Sequence, residues 1–364
     1  MDSRERTFMA LALEEPDRVP IDVWMSSGFA RKLEASLGPA AGDFLDAHDV
    51  DLRYIAGPAY IGPPLERFAD GSDRDIWGVR RARVVVATGD GQESYREVVE
   101  SPLAAATRIE EVEGYGHWPA PDWFDYSDIR RQCEAIRRAG RVAVFMGDRL
   151  NRMAQLKPAM YLRGVEAILM DLQLSPDIAH AILSRIRRFY CAYAERIFEA
   201  AEGKLDILLT GDDFGTQAGP MLSPGMWEEF LGAGFAQYAD LARSYGLRLM
   251  HHTCGSVVPL IPLMQERGLD VLQSLQPEAA QMAPRRLKAE FGATLGFHGG
   301  ISIQRTLPFA SPAEVRAEVK DRVEALAPGG GYILCTSHNI QADAPLENVH
   351  ALLAAYAEYG RYQS

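Results

Sequence analysis

The chain has 364 residues, 47% of them hydrophobic and 24% charged, with a formal charge of −12. That length suits one large α/β domain or two smaller ones, and the acidic balance argues against a nucleic-acid surface. No apolar run reaches the roughly 18 residues of a membrane span. The first residues lack the basic start and apolar core of a signal peptide, so a cytoplasmic protein is expected. Four cysteines, at positions 133, 191, 254 and 335, are too few and too scattered for a disulfide framework.

Eight apolar runs of strand length follow one another along the chain. They are Arg18–Trp24, Asp51–Ile55, Arg141–Met146, Asp206–Thr210, Leu247–His252, Asp270–Leu275, Ala293–Phe297 and Gly331–Cys335. Helical patterns separate most of them: Tyr126–Arg138, Pro176–Ala201, Pro224–Tyr245, Val257–Arg267, Pro312–Leu326 and Pro345–Tyr359. Several open on a Ser-Pro or Ala-Pro pair, which suits an N-cap followed by proline in the first turn. Eight strands alternating with helices predict a single-domain (β/α)8 TIM barrel over residues 1–364, with an open doubly wound sheet as the runner-up. The long interval between the second and third strands holds a β-rich stretch broken at Gly89-Asp90-Gly91. It reads as a β-hairpin over residues 78–100, an N-terminal elaboration beside the barrel that serves as a lid or an oligomer contact.

In a TIM barrel the active site lies at the C-terminal strand ends, and those ends are chemically dense here. The first strand offers Asp22, with Trp24 beside it. The third is followed by Asp148 and Arg149, the fourth by Asp212 and Asp213. The fifth carries His252 and Cys254, the sixth Gln273 and Gln276. The seventh leads to His298-Gly299-Gly300, the eighth to Cys335 and His338. Residues i and i+2 of a strand point the same way, so His252 and Cys254 can converge on one ion. An imidazole with a thiolate suits zinc, which takes three or four protein ligands, and the third is His338 or Cys335. His251 alternates to the opposite face and reads as structural. Asp212, Asp213 and His298 are the candidate catalytic residues. Trp24, Arg149, Gln273 and Gln276 are the candidate substrate contacts.

These residues resemble the uroporphyrinogen decarboxylase superfamily. The pieces that carry the likeness are Gly211-Asp212-Asp213-Phe214-Gly215, His252-Thr253-Cys254-Gly255-Ser256, Gly299-Gly300-Ile301, His338-Asn339-Ile340 and Ala344-Pro345-Leu346-Glu347-Asn348. The resemblance implies a (β/α)8 barrel. The decarboxylases' N-terminal arginine-rich segment has no counterpart at residues 25–31, so the zinc-dependent methyltransferase branch is the better match. That branch implies zinc held by a His-x-Cys pair and a later Cys. Aligning on Ala344-Pro345-Leu346-Glu347-Asn348 puts His338 at that later position, which makes His338 the preferred third ligand over Cys335. Fewer thiolates make a more Lewis-acidic metal, suited to an oxygen substrate such as a methyl ether.

The expected activity is zinc-dependent methyl transfer or demethylation between a small substrate, methoxylated compounds included, and a corrinoid protein or a thiol. The cobalamin-binding pattern Asp-x-His-x-x-Gly is absent, so methyl-corrinoid would arrive on a separate protein. The alternative is a metal-free decarboxylase or lyase acting on a small carboxylated substrate through Asp213 and His338. Expected partners are the small molecule, the corrinoid protein and a second copy in a homodimer, with no nucleic acid and no membrane.

Overall fold

The apolar runs form a curled, mostly parallel sheet whose neighbours are joined by helices. The structure, a computed structural model, describes residues 1–88, 91–147 and 152–362. Its strands are β1 (Leu52–Tyr54), β2 (Ala59–Tyr60), β3 (Asp73–Arg74), β4 (Arg80–Thr88), β5 (Gly91–Glu100), β6 (Phe124–Asp125), β7 (Val142–Phe145), β8 (Ile207–Gly211), β9 (Arg248–His252), β10 (Val271–Leu275), β11 (Gly296–Ile301) and β12 (Tyr332–Thr336). Seven make one sheet in the order β1-β7-β8-β9-β10-β11-β12, all parallel. The strands from β7 to β12 are buried along their length save Arg248 at the start of β9, as a parallel sheet covered on both faces requires. The architecture is TIM-barrel-like.

The first expected strand is different. Residues 18–24 form no ladder, because Pro16 and Pro20 have no N–H to donate. They are extended chain that touches both edges of the sheet. Asp22 N donates to Leu334 O at 2.9 Å and Leu334 N to Pro20 O at 2.8 Å, while Asp51 N donates to Ile21 O at 2.9 Å. The segment thus lies between β12 and β1. Buried Asp51 anchors it, accepting from Arg6 Nη1 and Arg18 Nη1 at 2.7 Å and from Ile21 N at 2.8 Å.

The longest helix, Pro176–Ala201, buries Ile178, Ile182, Ile186, Phe189, Tyr193 and Ile197, a stripe at helical spacing. Pro224–Tyr245, expected as one helix, is interrupted by a wider π turn at Glu228–Gly232. Strands β4 and β5 pair antiparallel over most of residues 80–100. The turn expected at Gly89-Asp90-Gly91 involves residues 89 and 90, outside the described residues. Asp148 and Arg149 are also outside them. Strand β11 runs further than the Ala293–Phe297 expectation, so His298 lies within a strand rather than after one. Gly299 and Gly300 take φ of +113° and +100° there, values that glycine adopts without strain. No helix among the described residues is long and apolar enough to cross a membrane.

Candidate metal centre and adjoining cavity

His252 ends β9, and its side chain faces the barrel interior beside β10. The parallel register sets Gln273 directly opposite His252, and Gln273 Oε1 lies 2.6 Å from His252 Nδ1. With Nδ1–H donating to this oxygen, His252 Nε2 carries a free lone pair. That atom is 3.4 Å from Cys254 Sγ and 3.5 Å from Asp213 Oδ1. A histidine whose other nitrogen is fixed by an oxygen acceptor is oriented as metal ligands are. Burial lowers the His252 pKa to about 3, so the ring is neutral.

His338 completes the group. One ligand atom each from His252, Cys254 and His338 lie within 4.8 Å of one another. The His338 Nδ1 side meets Asn339 Oδ1, and burial lowers its pKa to about 4. Cys254 is pushed up to about 12, first by burial and then by Asp213; a bound cation would reverse that shift and leave a thiolate. Two neutral imidazoles and one thiol, with ligand atoms within 4.8 Å of one another, fit zinc.

The loops that carry these ligands are locked together. Cys254 N donates to Asp213 Oδ1 at 3.1 Å, and Gly255 N to Gln276 Oε1 at 2.6 Å. Gly255 has φ +79°, and a Cβ there would lie 2.5 Å from the Gly215 carbonyl carbon; a Cβ on Gly215 would lie 2.6 Å from Cys254 O. Both glycines are therefore demanded by the close approach of the loops after β8 and β9.

The paired aspartates have separate environments. Asp212 accepts from the backbone N–H groups of Gln155, Leu156 and Lys157 at 2.5, 3.0 and 2.7 Å, which fixes the start of the helix Leu156–Arg163. Burial raises its pKa to about 6 against those hydrogen bonds. Asp213 Oδ2 receives Lys157 Nζ at 2.7 Å. Burial alone would raise the Asp213 pKa, but the Lys157 ammonium holds it below the usual carboxylate range.

A cavity of about 310 Å³ opens beside His338. Trp24, Arg152, Lys157 and Tyr161 form part of its wall, and Glu93 and Tyr95 of β5 form another part. Trp24 contacts both imidazoles, with ring centroids 5.9 Å from His252 and 5.0 Å from His338. Glu93 Oε1 accepts from Ser26 Oγ and, at 2.9 Å, from Ala342 N. A Cβ on Gly28 would lie 2.4 Å from that oxygen, so Gly28 is what lets β5 lean against the cavity mouth.

The remaining expected site residues occupy other places. Gln273 and Gln276 brace His252 and the Cys254 loop. His298 is fully buried, and its Nε2 lies 3.0 Å from Asp22 Oδ2. Tyr54 Oη also donates to that oxygen at 2.5 Å. Asp22, His298 and Cys335 form a second group of ligand atoms within 4.8 Å of one another, so Cys335 belongs to a cluster distinct from His252 and Cys254. His251 faces away, with Nδ1 2.8 Å from Thr210 Oγ1 and its ring stacked on Phe214. Arg152, Lys157, Tyr161, Glu93 and Tyr95 were not singled out from the sequence. The available signal for Arg152 was its place shortly after the third expected strand.

A family model for uroporphyrinogen decarboxylase (URO-D) matches residues 153–359, more than half of the chain. The chain belongs to the uroporphyrinogen decarboxylase family. The match spans every centre residue named above except those of the N-terminal segment, Tyr54 of β1, the β4–β5 ribbon and Arg152. Among solved structures, a methyltransferase from Methanosarcina mazei superposes with a TM-score of 0.66 at 18% identity, covering 99% of this chain and 99% of that one. D-psicose 3-epimerase from Clostridium cellulolyticum H10 gives 0.38 at 13% identity, over 69% of this chain and 91% of that one. No curated protein sequence matches the chain. At 18% identity the first likeness establishes that this URO-D member shares its fold.

Proposed function

We propose that this URO-D family member is a zinc-dependent methyltransferase, moving a methyl group between a small substrate and a corrinoid protein or a thiol. The observation that carries this reading is the triad His252, Cys254 and His338, with His252 oriented by Gln273, at the edge of a cavity large enough for a small molecule. The chain's place in a family of enzymes and its full-length likeness to a methyltransferase fold support the same reading.

His252, Cys254 and His338 would hold the metal, which when bound supplies Lewis acidity to a substrate heteroatom. In methyl transfer from the substrate, the bond between methyl carbon and heteroatom breaks and both electrons stay on the heteroatom. The acceptor nucleophile supplies the pair for the new bond to carbon. In the reverse direction the heteroatom is the nucleophile and loses its proton first. Asp213, kept ionised beside Lys157 and His252, stands where it can take or steer that proton. Trp24 fixes the two imidazoles and walls off one side of the site, and β5 covers the mouth. The corrinoid would be carried by a separate protein that docks over the cavity.

Metal analysis with a methyl-transfer assay tests this. Wild-type protein purified without chelator is expected to hold about one zinc per chain, and Cys254→Ala to lose it along with activity. Less than about 0.2 zinc per wild-type chain would sink the reading. Activity that survives chelation would favour a metal-free decarboxylase or lyase.

A further inference from the structure

The cavity beside the triad holds a guanidinium without a hydrogen-bonded partner among the described residues. Arg152 lies over the Trp24 ring, with Cζ 4.8 Å from the centroid. No carboxylate among the described residues approaches it within ion-pairing distance, and its Nε is buried with no hydrogen-bond partner. Burial pushes its pKa below the usual arginine value, with Asp213 and Cys254 acting against that from a distance. Arg152 is half-buried with its Nε enclosed, and a partly desolvated cation left unpaired is costly.

The other charges near it are spoken for. Lys157 is paired with Asp213 at 2.7 Å, and Glu93 is held by Ser26 and Ala342 N. Arg152 is also deliberately accommodated. A Cβ on Gly211 would lie 2.7 Å from Arg152 Cδ and 3.1 Å from His252 Cβ. The bare glycine at the end of β8 is what lets the arginine stem pass beside the histidine.

We infer that Arg152 is the anion receptor of this cavity and that the substrate is a small carboxylate. Its carboxylate pairs with Arg152, while its apolar body lies among Trp24, Tyr161, Pro158 and Tyr95. Its other end faces the His252–Cys254–His338 triad. A planar guanidinium binds a carboxylate through two parallel N–H···O bonds, which fixes direction as well as affinity. The opposite end of a rigid molecule is thereby presented to the triad. This rests on the proposed function for what happens at the triad, but the anion preference belongs to Arg152 alone.

Calorimetric titration of the zinc-incubated protein with 4-methoxybenzoate and with neutral 4-methoxybenzamide tests the inference. Wild type is expected to bind the carboxylate about 10- to 100-fold more tightly than the amide. Arg152→Gln is expected to abolish that preference while zinc content and melting temperature stay unchanged. Equal affinity of wild type for both probes would overturn the inference. So would binding of neither probe at millimolar concentration, or a preference that persists in Arg152→Gln. Metal analysis of the same zinc-incubated wild-type preparation, beside the titration, separates the two readings. A carboxylate preference without any bound zinc sustains the anion receptor and removes the metal enzyme. Zinc without the preference does the opposite.

Discussion

Gln273 shows how a residue outside the ligand set can decide what the ligand set does. Its Oε1 meets His252 Nδ1 at 2.6 Å, which leaves Nε2 for the metal. Gln273→Ala removes the acceptor without touching a ligand. Zinc affinity is expected to fall about 10- to 100-fold, the usual cost of losing such an orienting partner. Competition with a chelating dye measures it, and an unchanged affinity would mean that the imidazole is oriented by packing on Trp24 instead. The sequence pointed to Gln273 and Gln276 as substrate contacts at a strand end. That their partners would be His252 and Gly255 N follows from the β9–β10 register, which no local pattern encodes. Arg152 was hidden for a different reason: a lone arginine in a loop looks like any solvated surface charge until its surroundings are seen. The His-x-Cys pair was legible because period-2 strand geometry acts within a few residues. The grouping of His338 rather than Cys335 with that pair depends on how the chain bends after β12.

At the scale of elements, the loops after β8 and β9 behave as one unit. Gly215 and Gly255 sit back to back where neither can carry a side chain. Gly255→Ala would force a residue at φ +79° against backbone 2.5 Å away. The expected loss is on the order of 2 kcal/mol, read as a lower melting temperature, together with weaker zinc binding because Cys254 is next in the chain. An unaltered melting temperature would show that the loops part easily. The N-terminal helix Ser3–Leu11 is tied down by charge. Arg6 Nε and Nη2 donate to both Asp17 oxygens at 2.7 and 2.9 Å, and that hydrogen bonding lowers the Asp17 pKa. A carboxylate depressed on folding adds stability above its unfolded value, roughly 3.9, and that contribution is lost as pH falls through the folded value. Asp17→Asn should therefore narrow the difference in unfolding free energy between pH 7 and pH 3. The change should stay below about 1 kcal/mol because the carboxylate is partly solvated. Denaturant titrations at the two pH values measure it, and a widened difference would contradict the sign. This helix, with Ser27–Leu37 and Leu156–Arg163, was not foreseen. Short helices whose apolar stripe is interrupted by charge lack the long period that marks Pro176–Ala201.

For the whole molecule, the alternation of strand and helix was readable because each unit buries its own apolar face. The missing ladder at residues 18–24 was not, since VPIDVW reads as a strand and only the prolines hint otherwise. Side-chain charge compensates there. Asp51 is fully buried between Arg6 and Arg18 and also receives Ile21 N. Asp51→Ala would leave two largely buried guanidinium groups without that partner, at an expected cost of about 3–5 kcal/mol. Equilibrium unfolding measures it, and a loss under about 1 kcal/mol would show that other contacts hold the segment. That segment has a consequence in time as well as in space. Trp24, which touches both imidazoles, is placed by Ile340 N donating to its carbonyl and by the bonds of Pro20 and Asp22 to Leu334, more than 300 positions later in the chain. During synthesis the earliest wall of the cavity must wait, unsupported, for nearly the last strand to emerge from the ribosome. A pairing of such long sequence separation is a slow folding event. The active centre is therefore assembled only when almost the entire polypeptide is present, so an interrupted translation product could capture metal on His252 and Cys254 but would lack both His338 and the docked Trp24.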